Sequence, residues 1–251
     1  MNPITICAIV FACVFSGTLL GIFLHSRLPE KHLDADSKEH VRLGMALVGT
    51  TVALVLGLLI ASAKGFYDAQ NTEVTQAAAN IVLLDRLLAH YGPEAADVRA
   101  ALRSTVARWV ELSWQRSDEA KTHFEPTSAG SEILLDKIQE LSPQNDTQRS
   151  LQSQALSLLV QLSQTRWLLF AQRASSVPMP LLTVVVFWLT LLFMSFGLFV
   201  RPNVVVMGSL FASAVAVCGA IFLILEMYQP YSGMIMVSVA PLRAALAQLG
   251  R

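Results

Sequence analysis

The stretch GTTVALVLGLLIASAKG, Gly49 to Gly65, carries a small residue at every fourth position: Gly49, Ala53, Gly57, Ala61 and Gly65. The residues between them are mostly Val, Leu and Ile, and no charge occurs before Lys64. A helix of this make-up has no polar face to turn to water, so the segment belongs in a bilayer. Burying Leu gains little there, because lipid tails are as apolar as Leu. Helices associate instead by close packing, and small residues four apart let the backbones approach. The stripe therefore predicts a packing face, either within one four-helix unit or against a neighbouring subunit or a pore.

Composition agrees with a membrane setting. The chain has 251 residues, 54% hydrophobic and 14% charged, which is more apolar than a soluble domain of this length needs to fill its core. Four runs free of Lys, Arg, Asp, Glu and His fit a spanning helix of roughly 20 residues: Pro3 to Leu24, Leu43 to Ala63, Pro180 to Val200 and Val204 to Leu225. The first run lacks a basic leader and a small-residue cleavage site, and reads as an uncleaved span. Cys7, Cys13 and Cys218 all fall inside spans, where they act as small apolar residues rather than a disulfide or metal framework. A formal net charge of zero gives no reason to expect a nucleic-acid partner.

Between the second and third spans lies a polar block, residues 66–176, with 13 acidic and 10 basic residues. Its periodicity is helical. Val74, Ala77, Ile81, Leu84, Leu88 and Tyr91 fall three and four apart, and YGPEAAD then supplies a Gly stop and a Pro start. Val98, Leu102, Thr105, Trp109 and Leu112 continue the period, Glu132 to Leu141 forms a shorter helix, and Leu151, Ala155, Leu158, Leu162, Thr165 and Leu169 share one face of a last helix. Such spacing favours antiparallel helices in a bundle. No Pro lies between Leu43 and Tyr91, so the second span is predicted to leave the membrane as one long helix, and Pro178 and Pro180 are expected to bend the chain before the third. The expected fold is all-α: transmembrane helices in 1–65, an extramembrane helical bundle in 66–176, two further transmembrane helices in 177–226 and a tail in 227–251.

The short loops set the orientation. Arg27, Lys31, Lys38, Arg42 and Arg201 lie on one side, against Lys64, Arg166 and Arg173 near the span ends on the other. The positive-inside rule then puts both termini and the bundle outside a bacterial inner membrane. The third span, LLTVVVFWLTLLFMSFGLFV, is bulky on nearly every face, whereas the fourth repeats small residues at Gly208, Ala212, Ala216 and Ala220 and the first has Cys13, Gly17 and Gly21. Spans one, two and four are therefore expected inside and span three against lipid.

A resemblance then becomes usable. A first span ending in HSRLPEK, a second span running through ALVLGLLIASAKGFYDAQNTEV, a helical insert with WVELSW, a short basic turn between the closing spans and the tail LEMYQPYSGMIMVSVAPLRAAL together resemble the bestrophin-like family of bacterial integral membrane proteins. Glu226, Pro230, Tyr231, Ser232 and Gly233 match the family's tail pattern. Tyr228 stands where an Asp is common, and Met236 where a polar residue is usual. Leu56, Gly57, Tyr67 and Asp68 are similar to the second helix of bestrophins proper, with spacing one residue shorter. Bestrophins are pentameric anion channels with a large cytosolic domain. The resemblance thus implies a homo-oligomer, a pentamer, handling small inorganic ions, although the charge count here places the bundle outside.

On that reading the stripe faces a pore or a packing partner, Leu56, Ile60 or Phe66 forms a constriction, and Tyr67, Asp68, Gln70, Asn71 and Glu73 line a polar vestibule. The plainer reading of the same residues is a solvated helix face beside interfacial aromatics. Glu226 is expected to meet Lys64 or Arg173, Trp109 and Trp114 to fill the bundle core, and Glu111 to cap or pair. His25, His32, His40, His90 and His123 lack metal-ligand spacing, and the Asp34, Asp36, Glu39, His40 group reads as a solvated loop. No phosphate loop, nucleophile elbow or carboxylate pair appears, so neither catalysis nor a cofactor nor a metal is expected. The competing expectation is a non-conducting scaffold or sensor whose bundle binds an envelope partner.

Overall fold

The computed structural model describes residues 2–27, 35–114, 129–173, 179–199, 203–229 and 233–250, with side chains at all of these except 35–38, 112–114, 129, 131 and 173. The described residues form helices and connecting turns: α1 (Pro3–Arg27), α2 (Ala35–Tyr91), α3 (Ala96–Trp114), α4 (Ala129–Gln139), α5 (Asp146–Arg173), α6 (Met179–Phe199), α7 (Val204–Met227) and α8 (Ala240–Gln248). Four of them, α1, α2, α6 and α7, are long and apolar enough to cross a membrane. The chain divides into two compact units, one made of residues 1–66 and 176–229, the other of 67–175 and 230–251. The segment expected as a separate tail therefore groups, from residue 230 onward, with the bundle.

Helix α2 is the 57-residue element that the absence of Pro predicts, roughly 85 Å long at 1.5 Å per residue. It stops at Gly92, whose φ of 132° suits a residue without a side chain, and Pro93 opens a short 3-10 turn that leads to α3.

In the first unit, α1 packs most extensively against α6 and also against α7. A Cβ on Gly17 would meet the carbonyl oxygen of Thr190. One on Gly21 would meet that of Met194, and one on Gly197 that of Thr18. Only glycine lets these two backbones come so close. Phe11 stacks on Phe15 with centroids 5.6 Å apart, and the Phe211 ring meets Phe11 edge-on at 5.5 Å, joining α1 to α7. Several hydroxyls in the spans bond their own helix four residues back, as Thr51 does to Leu47 and Thr190 to Val186, so no polar hydrogen is left facing lipid at those positions.

This packing corrects the expected interior. The membrane-length window of α6 is the most buried of the four at 39%, and that of α2 the least at 11%. Span three is inside, with Leu182, Val185, Leu189, Leu192 and Phe193 in the core. Its run of bulky residues hid Gly197, the small position that admits α1.

In the second unit the predicted stripe of α2 holds whole and those of α3 and α5 in part, with Leu151, Leu158 and Thr165 of α5 half-buried and Leu159 in the core. Val74, Ala77, Ile81, Leu84, Leu88 and Tyr91 of α2 are all buried together with Val98 and Leu102 of α3 and Ala155, Leu162 and Leu169 of α5. On α3 the core face turns to Val106 and Val110, while Trp109 is half-buried beneath the Arg166 guanidinium, 5.9 Å from its ring centroid. Glu111 is exposed. The side chains of Leu112 and Trp114, and all of His123, lie outside the described residues, as do His32, Asp34, Pro178 and Arg201.

Two glutamines of α5 finish neighbouring helices. Gln148 donates to the carbonyl of Tyr91 at 2.9 Å, at the end of α2. Gln152 donates to those of Ile138 and Leu141 at 2.8 and 2.9 Å, past the end of α4. Helix α5 is itself capped by Asn145, whose Oδ1 accepts from the Gln148 N–H at 2.8 Å.

Candidate functional site

The membrane half of α2 touches its own unit along one narrow face, with Val52, Leu59 and Ala63 buried. The opposite side is open. Leu47, Leu54 and Leu58 are 71%, 71% and 68% exposed. Ala53, Gly57, Ala61 and Gly65 of the stripe are exposed as well, and a Cβ on Gly57 or Gly65 would meet nothing within 4 Å. Gly49 alone approaches a neighbour, an ordinary 3.9 Å contact with Leu192. The stripe is therefore not used for packing inside the protomer. The close glycine contacts lie between α1 and α6 instead.

The three residues expected at a constriction take different positions. Leu56 packs at the edge of the membrane core. Ile60 stands 39% exposed. Phe66 stacks on Tyr228 at the end of α7, centroids 5.4 Å apart, and the Tyr228 hydroxyl lies 3.1 Å from Ser62 Oγ. Tyr228 thus clips the last turn of α7 to the membrane half of α2. The sequence marked it as a departure from the family tail without showing its partner. Glu226, two residues earlier, is buried.

The polar residues at the start of the second unit do not form one wet surface. Asp68 and Asn71 are exposed, whereas Gln70 is fully buried. Gln70 Nε2 donates to Gln172 Oε1 of α5, and Gln172 Nε2 donates in turn to Glu73 Oε1 at 3.3 Å. Glu73 Oε2 is buried with no hydrogen-bond partner. The Tyr67 hydroxyl donates to the carbonyl of Met236 at 3.3 Å, joining α2 to the segment before α8. Gln172 was not singled out by sequence, since nothing in an amphipathic period says which residue lies across a helix pair, and Met236 stood out only as a departure from the family tail. In the tail, Gly233 adopts a φ of 106°, a conformation that favours glycine, while Pro230, Tyr231 and Ser232 lie outside the described residues.

Deeper in the bundle, Asp85 of α2 is buried and held by a two-pronged bond from Arg99 of α3, Nε at 2.8 Å and Nη2 at 2.9 Å. Burial alone would raise the Asp85 carboxyl. The Arg99 bonds, the Gly250 N–H at 3.4 Å and the charges of Arg99 and Arg86 outweigh it and hold the carboxyl below its ordinary range. The same bond raises Arg99.

Comparison with known proteins gives this arrangement a family. A profile of the bestrophin-like domain matches residues 12–242. Among solved structures, two variants of a bacterial bestrophin homolog from Klebsiella pneumoniae superpose with TM-scores of 0.68 and 0.66 at 13% and 15% identity. The first pairs 99% of this chain with 96% of that one, the second 96% with 97%. A further crystal structure, described as a membrane protein, superposes with a TM-score of 0.64 at 14% identity, over 96% of this chain and 97% of that one. At such identities these structures speak to the fold alone. No curated protein matches the chain in sequence. With a matching profile over most of its length and the same helical fold, the chain belongs to the bestrophin-like family.

Proposed function

We propose that the protein works as a homo-oligomer in the bacterial inner membrane and passes small inorganic anions along an axis lined by α2. The observation that carries this reading is the open face of α2. A spanning helix with small residues at Gly49, Ala53, Gly57, Ala61 and Gly65 has the surface for close helix packing, yet its own protomer leaves Gly57 and Gly65 uncovered. Copies of the same chain arranged around an axis cover that face, and closed rings are the common way for one chain to satisfy a surface of this kind. The resemblance to bestrophins supports five copies and anions as cargo.

On this reading Leu56, Ile60 or Phe66 narrows the path by excluding water, and Tyr67, Asp68, Gln70, Asn71 and Glu73 belong to its polar end, with Glu226 in the last turn of α7 and Gly233 in the turn before α8. The five basic residues of the short loops support a bundle on the periplasmic side. The second reading, a non-conducting scaffold, has the exposed polar flank of the bundle as its support.

The test is a cysteine at Gly57 in a background without Cys7, Cys13 and Cys218, treated with a short thiol cross-linker in membranes, alongside chloride efflux from liposomes holding the purified parent. Cross-linked pairs together with efflux support the channel. Cross-linked pairs without efflux favour the scaffold, and absence of cross-linking removes the α2 axis from both.

A further inference from the structure

We propose that residues 237–250 form a releasable strap, clasped to the bundle at its far end by Asp85 and Arg103. The chain leaves α7, passes through a non-helical stretch at 236–239 and forms α8, nine residues long. A helix that short does not hold itself in water, so its shape depends on what it lies against. Val237, Leu242, Ala245 and Leu249 supply the contact, all buried, and α8 packs on α3.

The end of the strap is read by its backbone. Arg103 Nη1 donates to the carbonyl of Leu249 at 3.3 Å, and the Gly250 N–H donates to Asp85 Oδ2 at 3.4 Å. Gly250 has a φ of 84°, and a Cβ placed there would stand 3.3 Å from Arg103 Nη1. The clasp therefore closes only on a left-handed turn with no side chain in it.

Release strands neither charge of the clasp. Asp85 keeps both prongs of Arg99, which do not involve the strap, and Arg103 is already exposed to water. Undocking gives up the burial of Val237, Leu242, Ala245 and Leu249, the packing of Leu246 beside them and the two long hydrogen bonds of the clasp. A permanent core element anchored by a buried ion pair would instead strand a charge on leaving. Undocked, the segment frees the chain that follows the fourth span and uncovers the α3 face beneath it. The inference stands on the bundle alone and does not depend on conduction.

The experiment is amide hydrogen exchange on the full-length purified protein, comparing the parent with Gly250→Val and Arg103→Gln. Each variant removes one half of the clasp and neither touches the Asp85–Arg99 pair. Exchange in α8 should rise at least roughly tenfold, while amides around Leu134 in α4 and Leu159 in α5 keep their parent rates. A Leu249→Asp variant should undock the strap fully and leave the bundle's helical melting transition in place. The proposal is overturned if α8 exchanges in step with α4 and α5 in the parent, if both clasp variants leave α8 unchanged, or if Leu249→Asp melts the whole bundle.

Discussion

Two carboxylates on α2 illustrate how partners decide the worth of a charge. Asp85 is satisfied on both oxygens, by Arg99 and Gly250. Glu73 has one oxygen bonded to Gln172 and the other buried without a partner. Asp85→Asn should cost on the order of 3 kcal/mol, because it takes the negative charge out of a buried, two-pronged ion pair. Glu73→Gln should leave the unfolding midpoint at or above the parent's, since it removes an anionic oxygen that nothing solvates. Urea unfolding followed by helical signal measures both. The Asp85 effect also has a pH signature. Its folded carboxyl sits below the ordinary value of about 3.9, so its contribution is present above that value and is lost as the pH falls through the folded one. The midpoint gap between parent and Asp85→Asn should be full at neutral pH and shrink in strong acid; a gap that widens in acid would reverse the assignment. Neither role was legible in the sequence, where Asp85 is one acid among the 13 of the polar block.

At the scale of the helix, glycines that look alike do different work. Gly21 and Gly197 sit where α1 and α6 backbones meet, while Gly57 faces open space within the protomer. Gly21→Leu or Gly197→Leu should force those helices apart and lower the stability of the monomeric fold by about 1 to 3 kcal/mol or more, by analogy with overpacked cores. Gly57→Leu should leave that fold unchanged and act only on assembly. Thermal melting in detergent beside native mass measurement separates the two, and a monomer destabilised by Gly57→Leu would contradict the open face. Much at this scale was readable from sequence: the unbroken run from Leu43 to Tyr91 gave α2, and the three-and-four spacing from Val74 to Tyr91 gave its buried stripe. Inside the bilayer that logic weakens, because apolar side chains are at home against lipid and protein alike. Bulk in the third span therefore said nothing about exposure, and Gly197 was the informative residue. The docking of α8 on α3 was equally hidden, since nine residues, four of them Ala, carry little periodicity.

For the whole molecule, sidedness and conduction remain to be measured together. On the proposed orientation, with the bundle outside, a cysteine at the exposed Ser157 of α5 should react with a membrane-impermeant maleimide in cells whose outer membrane has been permeabilised. Labelling only after lysis would put the bundle in the cytoplasm. The same cysteine-free background carries the central claim, that the open face of α2 surrounds a path for ions. A charged thiol reagent applied to Ala61→Cys in a planar bilayer tests it most directly, with Phe187→Cys, an exposed position on α6, as the control. The account predicts discrete currents that fall when position 61 is modified and stay unchanged when position 187 is. Folded, oligomeric protein that carries no current, or currents indifferent to modification at 61, would contradict it.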